Sequence, residues 1–185
     1  MSDRARADQV LDAAERRMRT GGYHAVSFRD VAADVGIRSA SVHHHFPQKS
    51  DLGAALVARY RERFLAALEP GRGLPAQERL RMFCEAYRQA FRTADAVCLC
   101  GMLGAESHGL PEPVGHAVRE FFSANIAWVA DCLAVDRPIT ARRTEATGIV
   151  ASLQGAMMLA ATFGDAVILD EAIAEVLRRS ARPPH

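Results

Sequence analysis

Hydroxyl, imidazole and basic side chains are concentrated between residues 27 and 49, and proteins use such groups to contact nucleic-acid phosphates and bases. The candidates for these contacts are Ser27, Arg29, Ser39, Ser41, His43, His44 and Lys49. Serine and histidine side chains donate hydrogen bonds, whereas arginine and lysine add the positive charge that attracts a phosphate backbone. The segment therefore predicts a DNA-contacting surface, with Arg29 and Lys49 near phosphates.

The first members of this set, Ser27 and Arg29, belong to the start of a short predicted helix. Ser27 followed by Asp30 is a helix-capping pattern, because the hydroxyl accepts a free backbone N–H and the acid lies at the positive end of the helix. Apolar residues recur at three- and four-residue spacing up to Gly36, where a left-handed C-cap is least costly. The pattern predicts one helix between Ser27 and Gly36.

A second short helix is expected at 39–45, with Ser39 as its cap and with Val42 and Phe46 as its apolar anchors. Its outer side is polar. A short helix with a polar outer side after a glycine turn is typical of the recognition helix of a helix-turn-helix, which enters the DNA major groove.

The whole stretch resembles the DNA-binding region of the TetR family of bacterial transcriptional regulators, also called TetR/AcrR. The family pattern has a glycine turn, a small-residue pair, an apolar residue, aromatic or histidine positions, then Phe, a turn and Lys. Here it stands as Gly36, Ala40-Ser41, Val42, His43-His44-His45, Phe46, Pro47 and Lys49. The resemblance implies a repressor that a small-molecule or electrophile effector releases from a palindromic operator in double-stranded DNA.

His43 departs from the family pattern, which usually has a tyrosine that touches a DNA phosphate at this position. A neutral imidazole still donates one hydrogen bond, but an ordinary histidine gains its charge only near pH of about 6.5. The substitution predicts weaker phosphate binding at neutral pH and a pH-dependent affinity for DNA.

Helical patterns cover nearly all of the chain, and no strand alternation or internal repeat occurs. The predicted helices beyond the pair above are 3–20, 50–68, 75–93, 98–107, 112–135, 140–163 and 165–179, with a linker rich in Pro and Gly at 69–75. The second of these helices starts at Ser50 or its neighbour. The expected fold is all-α. An N-terminal three-helix helix-turn-helix domain, 1–48, precedes a C-terminal helical ligand-binding and dimerisation bundle, 49–185.

Charge is distributed unevenly along the 185 residues, although the net charge is only +1. Residues 1–65 carry eleven Arg or Lys against eight acids, and the remainder carries twelve against fourteen. The basic excess thus falls on the segment expected to meet phosphate. No signal peptide and no apolar run long enough to span a membrane are recognised, so the prediction is a cytoplasmic protein with four reduced cysteines and no membrane partner.

Residues 98–106, CLCGMLGAE, resemble a segment that borders the effector pocket in part of the TetR family. Cys98 and Glu106 are the matched positions, and in some relatives this cysteine senses electrophiles or oxidants. The alternative is that Cys98 and Cys100 are small apolar residues of a buried helix. A metal site formed by these thiols with His108 is disfavoured, because no second ligand pair has suitable spacing.

An effector pocket among the central helices is a further implication of the family. Aromatic, methionine and polar side chains at helical spacing could line it: Phe83, Tyr87, Phe91, Cys98, Met102, Phe121, Asn125, Trp128, Gln154 and Met158. The alternative for each is ordinary core packing. The largely apolar set predicts an apolar or weakly polar effector of unknown identity, without a cofactor.

The helix containing 144–163 is composed of small and apolar residues on nearly all sides. It must be buried on several sides, either by a second copy of the chain or at the centre of a monomeric bundle. The resemblance implies the first alternative, a homodimer formed by the last two helices.

Two other classes of protein remain to be weighed. An enzyme is not expected, because no nucleophile with a base, carboxylate pair or metal set occurs at diagnostic spacing, and His43, His44 and His45 diverge around their helix. A helical interaction module of the same fold, without operator-specific DNA binding, stays open as the alternative.

Overall fold

The computed structural model describes residues 3–94, 97–133 and 137–181, and every regular element within these ranges is a helix. The α-helices are α1 Asp3–Gly21, α2 Phe28–Val35, α3 Ser39–His45, α4 Lys49–Leu68, α5 Ala76–Ala94, α6 Leu99–Ala105, α7 Glu112–Asp131, α8 Ile139–Phe163 and α9 Val167–Ser180. The all-α prediction is confirmed. The predicted end of the seventh helix, residue 135, lies outside the described ranges.

The predicted cap of α3 differs from the observed one. Ser39 is the first residue of α3 rather than its cap, because Arg38 occupies the cap position in an extended conformation and makes no side-chain capping hydrogen bond. Helix α4 begins at Lys49, the neighbour of Ser50, in agreement with the predicted start at Ser50 or its neighbour. The carboxylate of Asp51 accepts the backbone N–H of Gln48 at 2.9 Å, and this contact caps the start of the helix.

The predicted linker 69–75 is partly ordered into a helical turn. Glu69–Gly71 forms a 3-10 helix directly after α4, with Pro70 in its first turn, where proline is tolerated. The guanidinium of Arg72 binds both carboxylate oxygens of Glu69, at 2.6 and 2.8 Å. A second 3-10 helix, Ser107–Gly109, follows α6.

The chain divides into two compact units. The first unit consists of Met1–Arg61 and Leu99–Phe121, and in it α1 contacts α2, α3 and α6. Its core contains the buried side chains of Val10, Ala14, Met18, Val31, Val42, Leu52, Leu56, Leu99, Leu103 and Val114. The predicted domain boundary between residues 48 and 49 stays a prediction.

The second unit consists of Glu62–Cys98 and Phe122–His185. In it α8 packs along α9, and α5 contacts both. Its core contains the buried side chains of Leu80, Phe83, Tyr87, Val129, Val150, Leu153, Met157, Leu169 and Ile173. The guanidinium of Arg88 binds Asp170 at 2.6 Å, so an ion pair also joins α5 to α9.

Helix α8 corrects one expectation from the sequence. Among the described residues, α8 is long and apolar enough to cross a membrane by length and composition alone. The sequence leads us to expect no apolar run of that length. Core helices of proteins outside membranes pass the same test, and α8 buries one side against its own unit through Ile149, Leu153 and Met157.

Candidate DNA interface and effector site

The start and end of α2 are fixed by local sequence. Ser27 Oγ accepts the backbone N–H of Asp30 at 3.2 Å and donates to the Asp30 carboxylate, which lowers the pKa of that carboxyl. At the other end Gly36 has φ +70°, and the N–H of Ile37 reaches the carbonyl of Ala32 at 3.0 Å. The predicted capping by Ser27 and Gly36 is confirmed. The hydroxyl of Ser27 is therefore already engaged within the protein.

Helix α3 is held by its apolar side. Val42 is fully buried and Phe46 is buried, as the sequence predicts. His43 and His44 are exposed, while Ser39 and Ser41 are half-buried. A helix anchored on one side and polar on the other can present its polar side chains to a DNA groove.

Ion pairs tie the helix-turn-helix to its neighbours. The guanidinium of Arg17 in α1 binds both carboxylate oxygens of Asp34 in α2, at 2.5 and 2.8 Å. In α4, Arg59 lies 2.7 Å from Asp12 and 3.7 Å from Glu15, which are both in α1. Ion pairs thus join α1 to both α2 and α4, the helices before and after α3.

Aromatic contacts involve two of the predicted DNA-contacting residues of α3, His43 and His44. The ring of His43 packs edge-to-face on Phe28, with 4.5 Å between the centroids. Arg29 is exposed in the first turn of α2, beside the acid Asp30. The rings of His44 and His45 meet at 5.5 Å. The DNA-contacting roles of these residues stay predictions.

An open groove of about 650 Å³ lies between α3 and the first turns of α1. It is lined by Asp3, Arg6, Arg38, Ala40, Ser41, His44 and His45. Sequence reasoning missed Arg6 and Arg38. Arg38 could have been found from its place next to Ser39, whereas Arg6 reaches the groove only through the packing of α1 against α3. The guanidinium of Arg38 is exposed and forms no hydrogen bond or ion pair with the described residues.

Lys49 was expected near phosphate and has a contact within the protein. Its ammonium lies 4.4 Å from the centroid of the Tyr23 ring, and the side chain is half-buried. Burial lowers the pKa of Lys49, and the nearby carboxylate of Glu106 opposes that shift. A phosphate contact by Lys49 stays a prediction.

The residues predicted to line an effector pocket are divided between the two units. Met102, half-buried, and Phe121, buried, belong to the first unit. In the second unit the buried members are Phe83, Tyr87, Phe91, Cys98, Asn125 and Trp128. Met158 is 55% exposed, so it lies on the outer face of α8 and away from this buried group.

Polar groups of the second unit meet at Gln154 in α8. Its amide nitrogen lies 3.1 Å from the hydroxyl of Tyr87 and 3.1 Å from the sulfur of Cys98. The backbone N–H of Cys98 points to the sulfur of Met157 at 3.1 Å. Gln154 is therefore hydrogen-bonded to two other predicted pocket residues, Tyr87 and Cys98.

Asn125 in α7 differs from Gln154 in its hydrogen bonding. Its side chain is fully buried, at 0% exposure, and neither atom of its amide has a hydrogen-bond partner among the described residues. The indole nitrogen of Trp128, one turn later, is also buried without such a partner. A buried amide without hydrogen bonds is costly, so these two side chains are suited to hold a polar atom of a ligand or an ordered water.

A family model described as "Bacterial regulatory proteins, tetR family" matches residues 10–56. A TetR-family transcriptional regulator from Agrobacterium tumefaciens is 31% identical in sequence and has a TM-score of 0.87. The alignment covers 98% of this chain and 100% of that one. The chain belongs to the TetR family of transcriptional regulators.

Other TetR-family structures share the fold. A regulator from Legionella pneumophila is 27% identical, with a TM-score of 0.87 and coverage of 93% of this chain and 95% of its own. The reduced form of NemR from E. coli is 21% identical, with a TM-score of 0.78 and coverage of 97% and 100%. At that identity the likeness concerns the fold alone. A comparison with curated proteins finds no match.

Membership in the TetR family makes this chain a helix-turn-helix, DNA-binding transcriptional regulator. Such regulators are typically DNA-binding proteins without enzymatic activity. Among the described residues no group of three His, Cys, Asp or Glu side chains is arranged to hold a metal ion.

The TetR-family chain leaves an apolar face of α8 and the start of α9 uncovered. Phe163 is 71% exposed and Met158 is 55% exposed, with Leu159 and Val167 beside them in the sequence. A Cβ placed on Gly148 or Gly155 would meet nothing within 4 Å. An α8 buried on all sides in a monomeric bundle is therefore contradicted. The uncovered face is the kind of surface that a second subunit covers.

Proposed function

We propose that this TetR-family regulator is a cytoplasmic homodimeric repressor, which a small-molecule or electrophile effector releases from a palindromic DNA operator. DNA-binding regulation follows from membership in the TetR family. Binding to a palindromic operator as a dimer is supported by the combination of an anchored, outwardly polar α3 with an uncovered apolar face on α8. A symmetric dimer presents two recognition helices, and a palindromic operator matches that symmetry.

The operator can be isolated by incubating the full chain with fragmented DNA from its own genome and sequencing the bound fraction. We expect enrichment of near-palindromic sites with half-sites separated by about 34–36 Å or a multiple of it. Footprinting should show two protected half-sites. Absence of any enriched sequence, with the chain folded and dimeric, would favour the helical interaction module instead.

The effector is proposed to be a largely apolar molecule with a hydrogen-bonding group that meets Asn125. Support comes from the fully buried amide of Asn125, which has no hydrogen-bond partner among the described residues. Buried aromatic side chains of α5, such as Phe83 and Tyr87, supply apolar surface in the same unit. Neutral hydrogen-bonding groups fit this environment better than a full charge, because an unpaired buried charge is strongly disfavoured.

Cys98 supports an electrophile as a specific form of effector. Its sulfur receives a contact from the Gln154 amide at 3.1 Å, and a donated N–H stabilises a thiolate. A screen of apolar ligands and of alkylating electrophiles against the protein–operator complex separates the two forms. Release that reverses on dialysis indicates a bound ligand, whereas persistent release that is lost in Cys98→Ser indicates covalent modification. No release by either class would refute effector control.

A further inference from the structure

Glu106 follows α6 directly and contacts a distant part of the first unit. One of its carboxylate oxygens accepts the backbone N–H of Tyr23 at 2.6 Å, across 83 positions of sequence. Tyr23 lies in the connection between α1 and α2 and is buried. This charge-assisted hydrogen bond therefore ties the entrance of the helix-turn-helix to the end of α6.

The contact requires a glycine at position 22. Gly22 has φ +77°, and a Cβ placed there would overlap the other carboxylate oxygen of Glu106. Gly109 is similarly close to this connection, since a Cβ on it would lie 3.0 Å from the imidazole of His24. The backbone at Gly22 and the carboxylate of Glu106 thus approach more closely than a side chain at position 22 would allow.

Lys49 adds a positive charge close to Tyr23 and Glu106. The ammonium of Lys49, the first residue of α4, lies over the ring of Tyr23, whose backbone N–H binds Glu106. Gly53, one turn later in α4, also approaches this ring, since a Cβ there would lie 3.1 Å from it. The end of α1 and the start of α4, which flank α2 and α3, are consequently held at the same point.

We infer that Glu106 is a positioning residue for DNA binding: its carboxylate fixes the α1–α2 connection and the start of α4, and thereby the orientation of the recognition helix α3. This inference rests on the DNA-binding function. A carboxylate in a unit that binds DNA opposes binding through its charge, because DNA is a polyanion. The two roles of Glu106 therefore predict opposite changes in DNA affinity when its charge is removed. Loss of the geometric role lowers the affinity for the operator, whereas loss of the electrostatic repulsion raises the affinity for any duplex.

The test measures affinity for two duplexes, the one that the wild-type protein enriches from genomic fragments and an unrelated duplex of the same length. Glu106→Gln should lower the ratio of operator to unrelated affinity by about fivefold, because the glutamine oxygen can still accept the Tyr23 N–H but without the charge that strengthens the bond. Glu112→Gln is the matched control. It removes the same charge from the same unit, where Glu112 is exposed and pairs with Arg119 on its own helix. This control should leave the ratio unchanged.

A rise of both affinities in Glu106→Gln, as in the control, would overturn the inference, because the carboxylate would then act only as a surface charge. An unchanged ratio would overturn it as well. A wild-type protein that enriches no duplex would refute the proposed function, and the inference would fail with it.

A second measurement needs no DNA and separates the contact from general folding. Hydrogen exchange should become faster at residues 21–26 in Glu106→Ala, because the Tyr23 N–H loses its acceptor. Exchange in α8 should stay unchanged, and Glu112→Ala should leave 21–26 unchanged. Unaltered protection at 21–26 in a folded Glu106→Ala would show that the carboxylate does not hold this connection.

Discussion

The imidazole of His43 in α3 packs edge-to-face against the ring of Phe28 in α2, with 4.5 Å between the two centroids. Phe28 is buried, whereas His43 is exposed. The aromatic contact links the two helices of the helix-turn-helix at the position where TetR-family proteins usually have a tyrosine. A tyrosine there could keep the ring contact and add a hydroxyl.

His43→Tyr should raise operator affinity, because the tyrosine hydroxyl can donate a hydrogen bond to a DNA phosphate from the same helix position. Fluorescence anisotropy at constant pH and ionic strength measures both affinities. His116→Tyr, at an exposed position on α7, is the control and should keep the wild-type affinity. Equal affinities for wild type and His43→Tyr would place position 43 outside the DNA contact.

Arg38→Ala should weaken binding to all duplexes to a similar extent. Its exposed guanidinium lies at the groove beside α3, where it can neutralise phosphate. The slope of log affinity against log salt should fall by about one to two units for a dimer, which carries two copies of the residue. Arg81→Ala, on the exposed side of α5, should leave the slope unaltered. An unchanged slope for Arg38→Ala would place Arg38 outside the DNA contact.

Phe163→Glu should convert the dimer to monomer. An unpaired charge placed in an apolar interface costs several kcal/mol, so the dissociation constant should rise by at least about thirtyfold, or about 2 kcal/mol. Sedimentation velocity over a range of concentrations measures the change. Ala127→Glu provides the control, since Ala127 is an exposed residue of the second unit on α7. A Phe163→Glu protein that stays dimeric would assign the interface to another surface.

Asn125→Leu should make the protein more stable. The apolar replacement removes an amide that is buried without hydrogen bonds, so the free energy of unfolding should rise by about 1 kcal/mol in urea denaturation. Gln154→Leu should lower it, because Gln154 loses its contacts with Tyr87 and Cys98. If Asn125→Leu is destabilised as strongly as Gln154→Leu, the Asn125 amide is satisfied within the protein and is not reserved for a ligand.

Cys98 should be alkylated before Cys84 and Cys132. Burial raises the pKa of Cys84 to about 12 and that of Cys132 to about 11. At pH 8 their thiolates amount to about one part in a thousand or less, and the thiolate is the reactive form. Peptide mass mapping after a limiting dose of N-ethylmaleimide reports the order. Equal labelling of the three thiols, or none before unfolding, would show that Cys98 has a packing role.

Local sequence was sufficient to predict the helix-turn-helix. Ser27, Asp30 and Gly36 determine the ends of α2 through hydrogen bonds to residues at most five positions away, so residue type and spacing contain the necessary information. The start of α3 was placed correctly although its cap was not. Arg38 has no capping hydrogen bond, so α3 is held by the burial of Val42 instead.

Long-range relationships could not be predicted in the same way. The contact of Glu106 with Tyr23 joins residues 83 positions apart, and nothing near Glu106 in the sequence distinguishes it from a pocket residue. Helix α8 presents a related difficulty. Its composition requires burial on several sides, but only the structure shows that the side of Met158 and Phe163 is uncovered in one chain.

Gly148 and Gly155 lie inside α8 with open space where their side chains would be, and each glycine weakens a helix by about 1 kcal/mol relative to alanine. In a dimer formed through this face, the partner helix occupies that space and offsets the loss. The melting temperature should then rise with protein concentration, because the associated state is the more stable one. Folding of α8 and assembly of the two copies become one reaction, so the amount of protein in the cell helps to determine how much of it is folded.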